Sequence, residues 1–413
     1  MKLRLLITTA VAVSMVLAQA GAKTPVPVGL SPEQRAAYLQ DKPADAQRLF
    51  ARVVDDGENS AVLNDARAAL AAFQLGDSKS AAAALDDART PIEAVFSDTP
   101  DAKKARSIWS KESSKRFLGE GYERAMVYYY RGLIFLEAGD YENAAASFRG
   151  GQLQDALTED VANSQDFASL AYLRGWAGKC GGMATVAEES FAEAQKLKPE
   201  LKAPLATENT LLIVESGGAP VKVGEGKYKE TLTFQQNDAP FASSFSLNGQ
   251  AVPAVEAEDL FWQATSRGHR QMDTLLSNKA KTKEGTAAVG SAAISVGAAM
   301  MQQSYLSNNN DMAGLGGMAM LGGLFASAMA AKMTPAADTR QWDNLPYKIY
   351  LHPVAVSGAD APRVAFTGAD GASTPAFVRT LGTPACQVIW ARTKSALDVP
   401  DMAPGVTPPK GKK

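Results

Sequence analysis

Between Tyr128 and Phe148, large apolar and small residues recur three and four apart, and Gly139-Asp140 interrupts the pattern. Residues at that spacing share one face of an α-helix, so the stretch predicts two helices joined by a tight turn. Gly132 and Ala144 let the helices approach, while Tyr128, Phe135, Tyr141 and Phe148 fill around them. A second copy carries Gly175, Gly182, Ala187, Phe191, Ala194 and Pro199, with Gly175 standing 43 residues after Gly132. It departs at Gly178, where the pattern calls for an aromatic. A weaker copy precedes both: Gly76-Asp77, Ala81, Leu85 and Ala88 fit, behind a first helix of small residues (Ala68, Ala69, Ala71, Ala72).

This pattern resembles the tetratricopeptide repeat, whose period is about 34 residues. The longer spacing here places an insertion within Leu157–Gln165. One such hairpin cannot bury its apolar face alone, and roughly three are needed to share a core. The resemblance implies a helical domain over residues 31–200 that holds a protein or peptide partner. Ser31-Pro32 is a good start for it, with serine as N-cap and proline at the first helical position. Tyr128, Tyr129, Tyr130 and Arg131 are its candidate partner-binding residues, because aromatic anchors and arginine dominate interface energetics. A core role for two of the three tyrosines is the competing reading.

At 413 residues and a formal net charge of −2, the chain is long enough for two or more domains and has no basic excess to draw nucleic acid. Lys2 and Arg4, the apolar run Leu5–Leu17, and Ala18-Gln19-Ala20 or Ala20-Gly21-Ala22 form a signal-peptide pattern over residues 1–22. Export to a periplasmic space is the expectation. Cys180 and Cys386 fit either a disulfide, worth about 5 kcal/mol by loop entropy, or two unrelated thiols.

After Pro199 the pattern changes to strands. Thr210–Glu215, Tyr228–Phe234, Phe245–Val252, Lys348–Val356, Arg363–Thr367 and Cys386–Arg392 read as β, with Asn248-Gly249 a hairpin turn. Together they predict an antiparallel domain over residues 207–395 with a helical insertion at 256–333, helix resuming at Glu256–Lys283. The fold class is thus α+β. Residues 400–413, rich in proline and lysine, read as a disordered tail.

Gly285–Met301 and Met312–Ala331 are charge-free runs of glycine, alanine and methionine. Small residues four apart in both (Ala293 and Gly297; Ala319, Gly323, Ser327 and Ala331) suit close helix contact. Three readings fit: a helical hairpin packed on the chain itself, one that meets a membrane or another subunit, or a double membrane span. The last is opposed by lysines on the wrong side of the connecting loop.

The Asp338–Pro346 segment is the sharpest polar feature. Asp338, Arg340 and Trp342 are its candidate recognition residues, an ion pair capped by an indole; the bland alternative is a corner that launches the next strand. Taken in order, Gly119–Phe148, Leu212–Lys222, the small-residue runs and this segment resemble an uncharacterised bacterial envelope family with a tetratricopeptide-like N-terminal half, often lipoproteins. The resemblance covers most of residues 60–395 and implies no activity; this chain lacks the lipidated cysteine.

Catalytic and metal signatures are weak. His269 sits between arginines and His352 precedes Pro353; no His or Cys pair has zinc spacing, and no Gly-x-Ser-x-Gly elbow occurs. No cofactor is expected. The first expectation is a non-enzymatic exported scaffold. The second is a membrane-associated or self-assembling envelope component using residues 285–331. The third is a cell-wall hydrolase, which needs two carboxylates facing across a cleft.

Overall fold

The computed structural model describes residues 30–96, 116–156, 166–227, 229–239, 241–253, 255–266, 337–357, 360–368 and 373–400. The signal-peptide pattern, His269, the 285–331 runs and nearly all of the 400–413 tail lie outside these residues. The architecture is α+β. Among the described residues, helices α1 (Pro32–Gln40) and α2 (Gln47–Asp55) are followed by three hairpins: α3 (Ala61–Gln74) with α4 (Ser78–Phe96), α5 (Gly121–Glu137) with α6 (Tyr141–Ala156), and α7 (Ala168–Cys180) with α8 (Ala184–Leu197). Ser31 caps α1 in a capping box with Gln34.

The three hairpin turns are the same device. The Asp77, Asp140 and Met183 amides reach back to the carbonyls of Ala72, Phe135 and Gly178 at 3.0, 2.9 and 2.8 Å. That is the Schellman ending of a helix, which needs a residue in the left-handed region just past its end. Gly76, Gly139 and Gly182 supply it with φ of 87°, 72° and 69°. Asp77 and Asp140 then cap the following helix through the amides of Ser80 and Asn143 at 3.0 and 3.3 Å.

Packing inside the hairpins also repeats. A Cβ at Gly132 would lie 2.4 Å from the Phe148 ring, and one at Gly175 would lie 2.7 Å from that of Phe191. Each ring is seated directly on the opposite helix. Gly178, the position without its aromatic, has its own reason: a Cβ there would meet the Ala187 backbone nitrogen at 2.8 Å. Helices α7 and α8 are closer at that point than an aromatic would allow.

The strands are β1 (Thr210–Ser216), β2 (Val221–Glu225), β3 (Thr231–Gln235), β4 (Phe245–Leu247), β5 (Gln250–Val252), β6 (Val255–Asp259), β7 (Lys348–Val354), β8 (Val364–Thr367), β9 (Ser373–Pro375), β10 (Phe377–Thr383) and β11 (Cys386–Arg392). They form a five-stranded sheet of order β10-β11-β1-β7-β6, a β2-β3 ribbon and a four-stranded sheet of order β5-β4-β8-β9. Asn248 and Gly249, at φ 53° and 83°, make the hairpin turn between β4 and β5.

Two expectations are corrected here. The β region is not purely antiparallel, since β1 pairs in parallel with β11. Alternation along a strand says which face is buried but not which strand lies beside it, and these two are joined by no local turn. Glu256–Lys283 is not helical from its start. Val255–Asp259 is β6, held beside β7 with a bulge between Glu256 and Glu258, and only α9 (Leu260–Thr265) follows within the described residues. Lys348 draws Glu256 and Asp259 onto that edge at 2.6 and 3.2 Å.

The five-stranded sheet is covered on both sides. Leu211 and Ile213 of β1, with Ile349, Leu351, Val388 and Trp390, belong to one core with the helices. Leu212, Val214, Tyr350, Ile389 and Ala391 belong to a second core with Phe245, Leu247, Val364 and Phe366 of the smaller sheet. Hence β1 reads as an unbroken apolar run, buried at every residue. Helices α3, α5 and α7 lie against the sheet's strands, so the hairpins and the sheet share a core. The Cys180–Cys386 disulfide, with Cα atoms 5.6 Å apart, ties the end of α7 to the start of β11.

Candidate functional site

Of the expected site residues, Tyr130 and Trp342 meet at the junction between α5 and the sheet, and the others point elsewhere. Three consecutive residues on a helix point about 100° apart, so burying all of Tyr128, Tyr129 and Tyr130 requires cover on three sides. It is present: they are 5 %, 0 % and 0 % exposed. The Tyr128 ring lies over Gly150 of α6, and its hydroxyl donates to Glu93 of α4 at 2.9 Å. Tyr129 stacks edge-on against Tyr130, centroids 4.9 Å apart. Tyr130 points into the sheet and donates to Glu215 at 2.8 Å. Burial corrects the expectation of an exposed recognition run. Arg131, on the remaining side, pairs with Asp86 at 3.0 Å and stacks on Phe135.

Glu215 is the centre of this junction. Its register partner on β11 is Arg392, and the two form an ion pair at 2.9 Å with 0 % and 1 % of the side chains exposed. Trp390 donates its indole N–H to the other carboxylate oxygen at 2.7 Å. Burial pushes the Glu215 carboxyl up, and the Arg392 guanidinium opposes it. Phe73 of α3 closes the side with its ring 4.9 Å from that of Trp390.

The Asp338–Pro346 segment is the strap across the same junction. Its Trp342 is buried beside Tyr130, centroids 5.8 Å apart, so the two candidate regions do meet. The Trp342 amide donates to Glu123 at 2.9 Å, and Glu123 pairs with Lys222 at 2.5 Å, both side chains 2 % exposed. Arg67 of α3 holds the Asp343 carboxylate with two bonds, of 3.0 and 2.7 Å. Asn344 donates to the carbonyls of Arg67 and Ala396, and the Asn344 carbonyl accepts from Arg392 at 2.6 Å. Asp338 and Arg340 form the expected ion pair, at 2.7 Å, but it is partly exposed and Phe117 stands over it in place of Trp342.

The sequence reading missed Arg67, Glu123, Glu215, Lys222, Asp343 and Arg392. The signal for two of them was present: Glu215 and Arg392 are charges inside otherwise apolar strands. A charge there must be paired or neutralised, because an isolated one costs too much in a low dielectric. Chemically, the junction is an enclosed polar network in which the charges are paired, while the Trp342 indole N–H and the Asn344 amide oxygen are left without a partner. It fixes the strap and the sheet against the helices.

Other buried acids lie away from it. Glu258, on β6, is pushed up to about 8 by burial and by Asp155 and Asp166, and Gln263 and Ser169 contact its oxygens. Asp65, on α3, is pushed up to about 8 by burial and by Asp87. His352 is pulled down by burial. Among the described residues no three His, Cys, Asp or Glu side chains gather as metal ligands, and no helix is long and apolar enough to cross a membrane. No protein-family model matches the chain, and no curated protein or solved structure matches it either.

Proposed function

We propose that this protein is an exported, non-enzymatic scaffold that holds a protein or peptide partner on tetratricopeptide-like helix pairs. The repeated geometry of the hairpins is the observation that carries the reading: one turn type in all three, and one glycine-on-ring contact in the second and third. Since α3, α5 and α7 are occupied by the chain's own sheet and strap, the partner's surface falls on the outward helices. Exposed Glu142 and Leu153 on α6 and Glu188 and Glu189 on α8 belong to that surface. Arg131, Asp338 and Arg340 are the members of the expected recognition set that keep some exposure.

A second reading makes the protein an envelope component that inserts or self-associates through residues 285–331. Its support is the pair of charge-free runs, 285–301 and 312–331, joined in that segment by a linker that carries Asp311. It is reached from α9, which carries Trp262 46 % exposed to solvent. Site-specific photocrosslinking in cells separates the two. Adducts from positions 142 and 189 support the scaffold; adducts from position 301 alone, with detergent needed to extract the protein, support the envelope component. Mass determination of the mature chain tests export, with removal of about the first 20 residues expected for a cleaved signal peptide.

A further inference from the structure

The five-stranded sheet has two outer strands, β6 and β10. An outer strand carries main-chain donors and acceptors on its free side, and proteins block such edges with charges, prolines or bulges. Strand β6 has these devices: Glu256, Glu258 and Asp259, and a bulge between the two glutamates. Strand β10, Phe-Val-Arg-Thr-Leu-Gly-Thr, has no proline and a single charge. That charge, Arg379, turns to the helix side, where it pairs with Glu137 and donates to the Phe73 carbonyl.

Strand β11 fixes which groups of β10 face outward. Gln387 and, just past the strand, Thr393 donate to the carbonyls of Asn209 and Glu215, so the odd-numbered residues of β11 face β1. Its even-numbered residues face β10, where their register partners are Phe377, Arg379, Leu381 and Thr383. The N–H and C=O groups of Val378 and Thr380 are therefore directed away from the sheet. Among the described residues neither amide has a hydrogen-bond acceptor. Thr380 is exposed and Val378 half-buried. Both ends of the open stretch are defined. On the same side β8 covers Ala376, whose amide donates to the Val364 carbonyl at 3.0 Å. At the other end Gly382 turns to φ 80°, and the Cys386 carbonyl oxygen lies 2.6 Å from where its Cβ would stand.

We propose that the free edge of β10, from Phe377 to Leu381, binds an extended, uncharged peptide segment of a partner protein as an added strand. Unpaired donors and acceptors at the strand repeat are matched by another extended backbone. Phe377, 44 % exposed at the start of the strand, offers an apolar contact. The strand's one cation is already engaged by Glu137, so a charged segment finds no counter-ion on it. A second copy of this chain fits less well. So short an edge, closed at both ends, falls far below the roughly 1,200 Å² that a stable protein interface buries. The edge lies apart from the outward faces of α6 and α8 assigned above, so either binding surface can fail without the other.

Fluorescence anisotropy of a labelled probe, acetyl-Ser-Thr-Val-Thr-Val-Thr-Ser-amide, titrated with the full-length protein tests this. Saturable binding with a Kd under about 1 mM is expected, because main-chain bonds rather than sequence supply the attraction. Thr380→Pro removes an outward amide and no bond to β11, and is expected to weaken binding about ten-fold. Replacing the probe's valines with aspartate is expected to abolish binding. So is N-methylation of the one alternate set of probe amides that faces β10, whereas methylation of the other set is expected to be tolerated. The methylated probes leave the protein unaltered, so they decide the matter if Thr380→Pro folds poorly. No binding of the parent probe, equal binding of the two methylated probes, or undiminished binding of the aspartate probe overturns the proposal. A dimer in sedimentation equilibrium that Thr380→Pro abolishes also overturns it, because the occupant is then a second copy.

Discussion

The junction around Glu215 and the corner around Asp65 both bury a carboxylate, and they neutralise it by opposite means. Glu215 has Arg392, Trp390 and Tyr130 on its oxygens. Asp65 has no such partner and faces another acid, so it is kept neutral by holding a proton. A matched charge fixes how two layers sit, because the wrong arrangement leaves both ions unpaired. A protonated one leaves the position sensitive to pH. The first occurs where the hairpins meet the sheet, the second within α3.

Breaking the match carries the largest expected effect. Arg392→Met leaves Glu215 buried with its cation gone and is expected to cost about 3–5 kcal/mol in denaturant unfolding, as loss of one partner of a buried pair does. Glu215→Gln together with Arg392→Met is expected to cost less than Arg392→Met alone. Equal or greater loss in the double variant means that the pair contributes packing only. Arg67→Met, which strands Asp343 in the same way, is expected to fall in the same range.

Next in size is the contact that makes the hairpins alike. Gly132→Ala places a methyl where the Phe148 ring now lies, 2.4 Å from its nearest atom, and overpacking of this kind costs about 1–3 kcal/mol. Gly175→Ala, against Phe191, is expected to match it. A neutral outcome at both sites shows that the hairpins separate easily and weakens the case for a rigid helical platform.

These comparisons bear on how much the sequence could say. The hairpin turns were legible because a glycine that interrupts a helical pattern has one local meaning, and so was the close approach of the helices at Gly132, because the small and aromatic residues sit at helical spacing. Local patterns also found β1, β11 and the Asn248-Gly249 turn. They could not find partners distant along the chain. The parallel β1–β11 pairing, the strap under Trp342 and the cover over Tyr128–Tyr130 depend on residues far away in sequence. Glu256–Asp259, expected to be helical, is instead a strand whose acids meet Lys348 on β7, a partner far away in sequence. Glu215 and Arg392 were visible as charges out of pattern, but only their shared register makes them a pair.

The pH dependence of global stability sharpens the contrast further. Asp65 and Glu258 are each pushed up to about 8 when folded. Unfolded, each returns to the ordinary carboxylate range near 4. Between those limits the folded chain holds the extra protons, so stability is full below the unfolded values and declines as pH rises through the folded ones. The slope is at most about 1.4 kcal/mol per pH unit for each group. Chemical denaturation from about pH 5 to 9 is expected to show this decline in the wild type. Asp65→Asn and Glu258→Gln are each expected to flatten it, while Glu215→Gln, whose carboxyl is also raised but is opposed by Arg392, is expected to flatten it less. If Glu215→Gln flattens it as much as Asp65→Asn does, the two acids are not handled differently.

The smallest effect comes from the strap itself, where a buried and a partly exposed ion pair lie five residues apart in sequence. Arg340 meets Asp338 at 2.7 Å with 28 % and 31 % of the side chains exposed, whereas Arg67 meets Asp343 at the same distance with 6 % and 10 % exposed. Water and salt screen the first pair, and ordering two long side chains offsets much of its attraction. Arg340→Ala is therefore expected to cost under about 1 kcal/mol and to be masked further by added salt. The Arg67→Met loss is expected to persist in the same salt. Arg340 also donates to the Asn59 carbonyl at 2.6 Å, so a residual loss that salt does not touch is assigned to that bond. A large, salt-independent loss at Arg340 would make the outer end of the strap as deeply committed to the fold as its inner end, and would remove Asp338 and Arg340 from the surface left free for a partner.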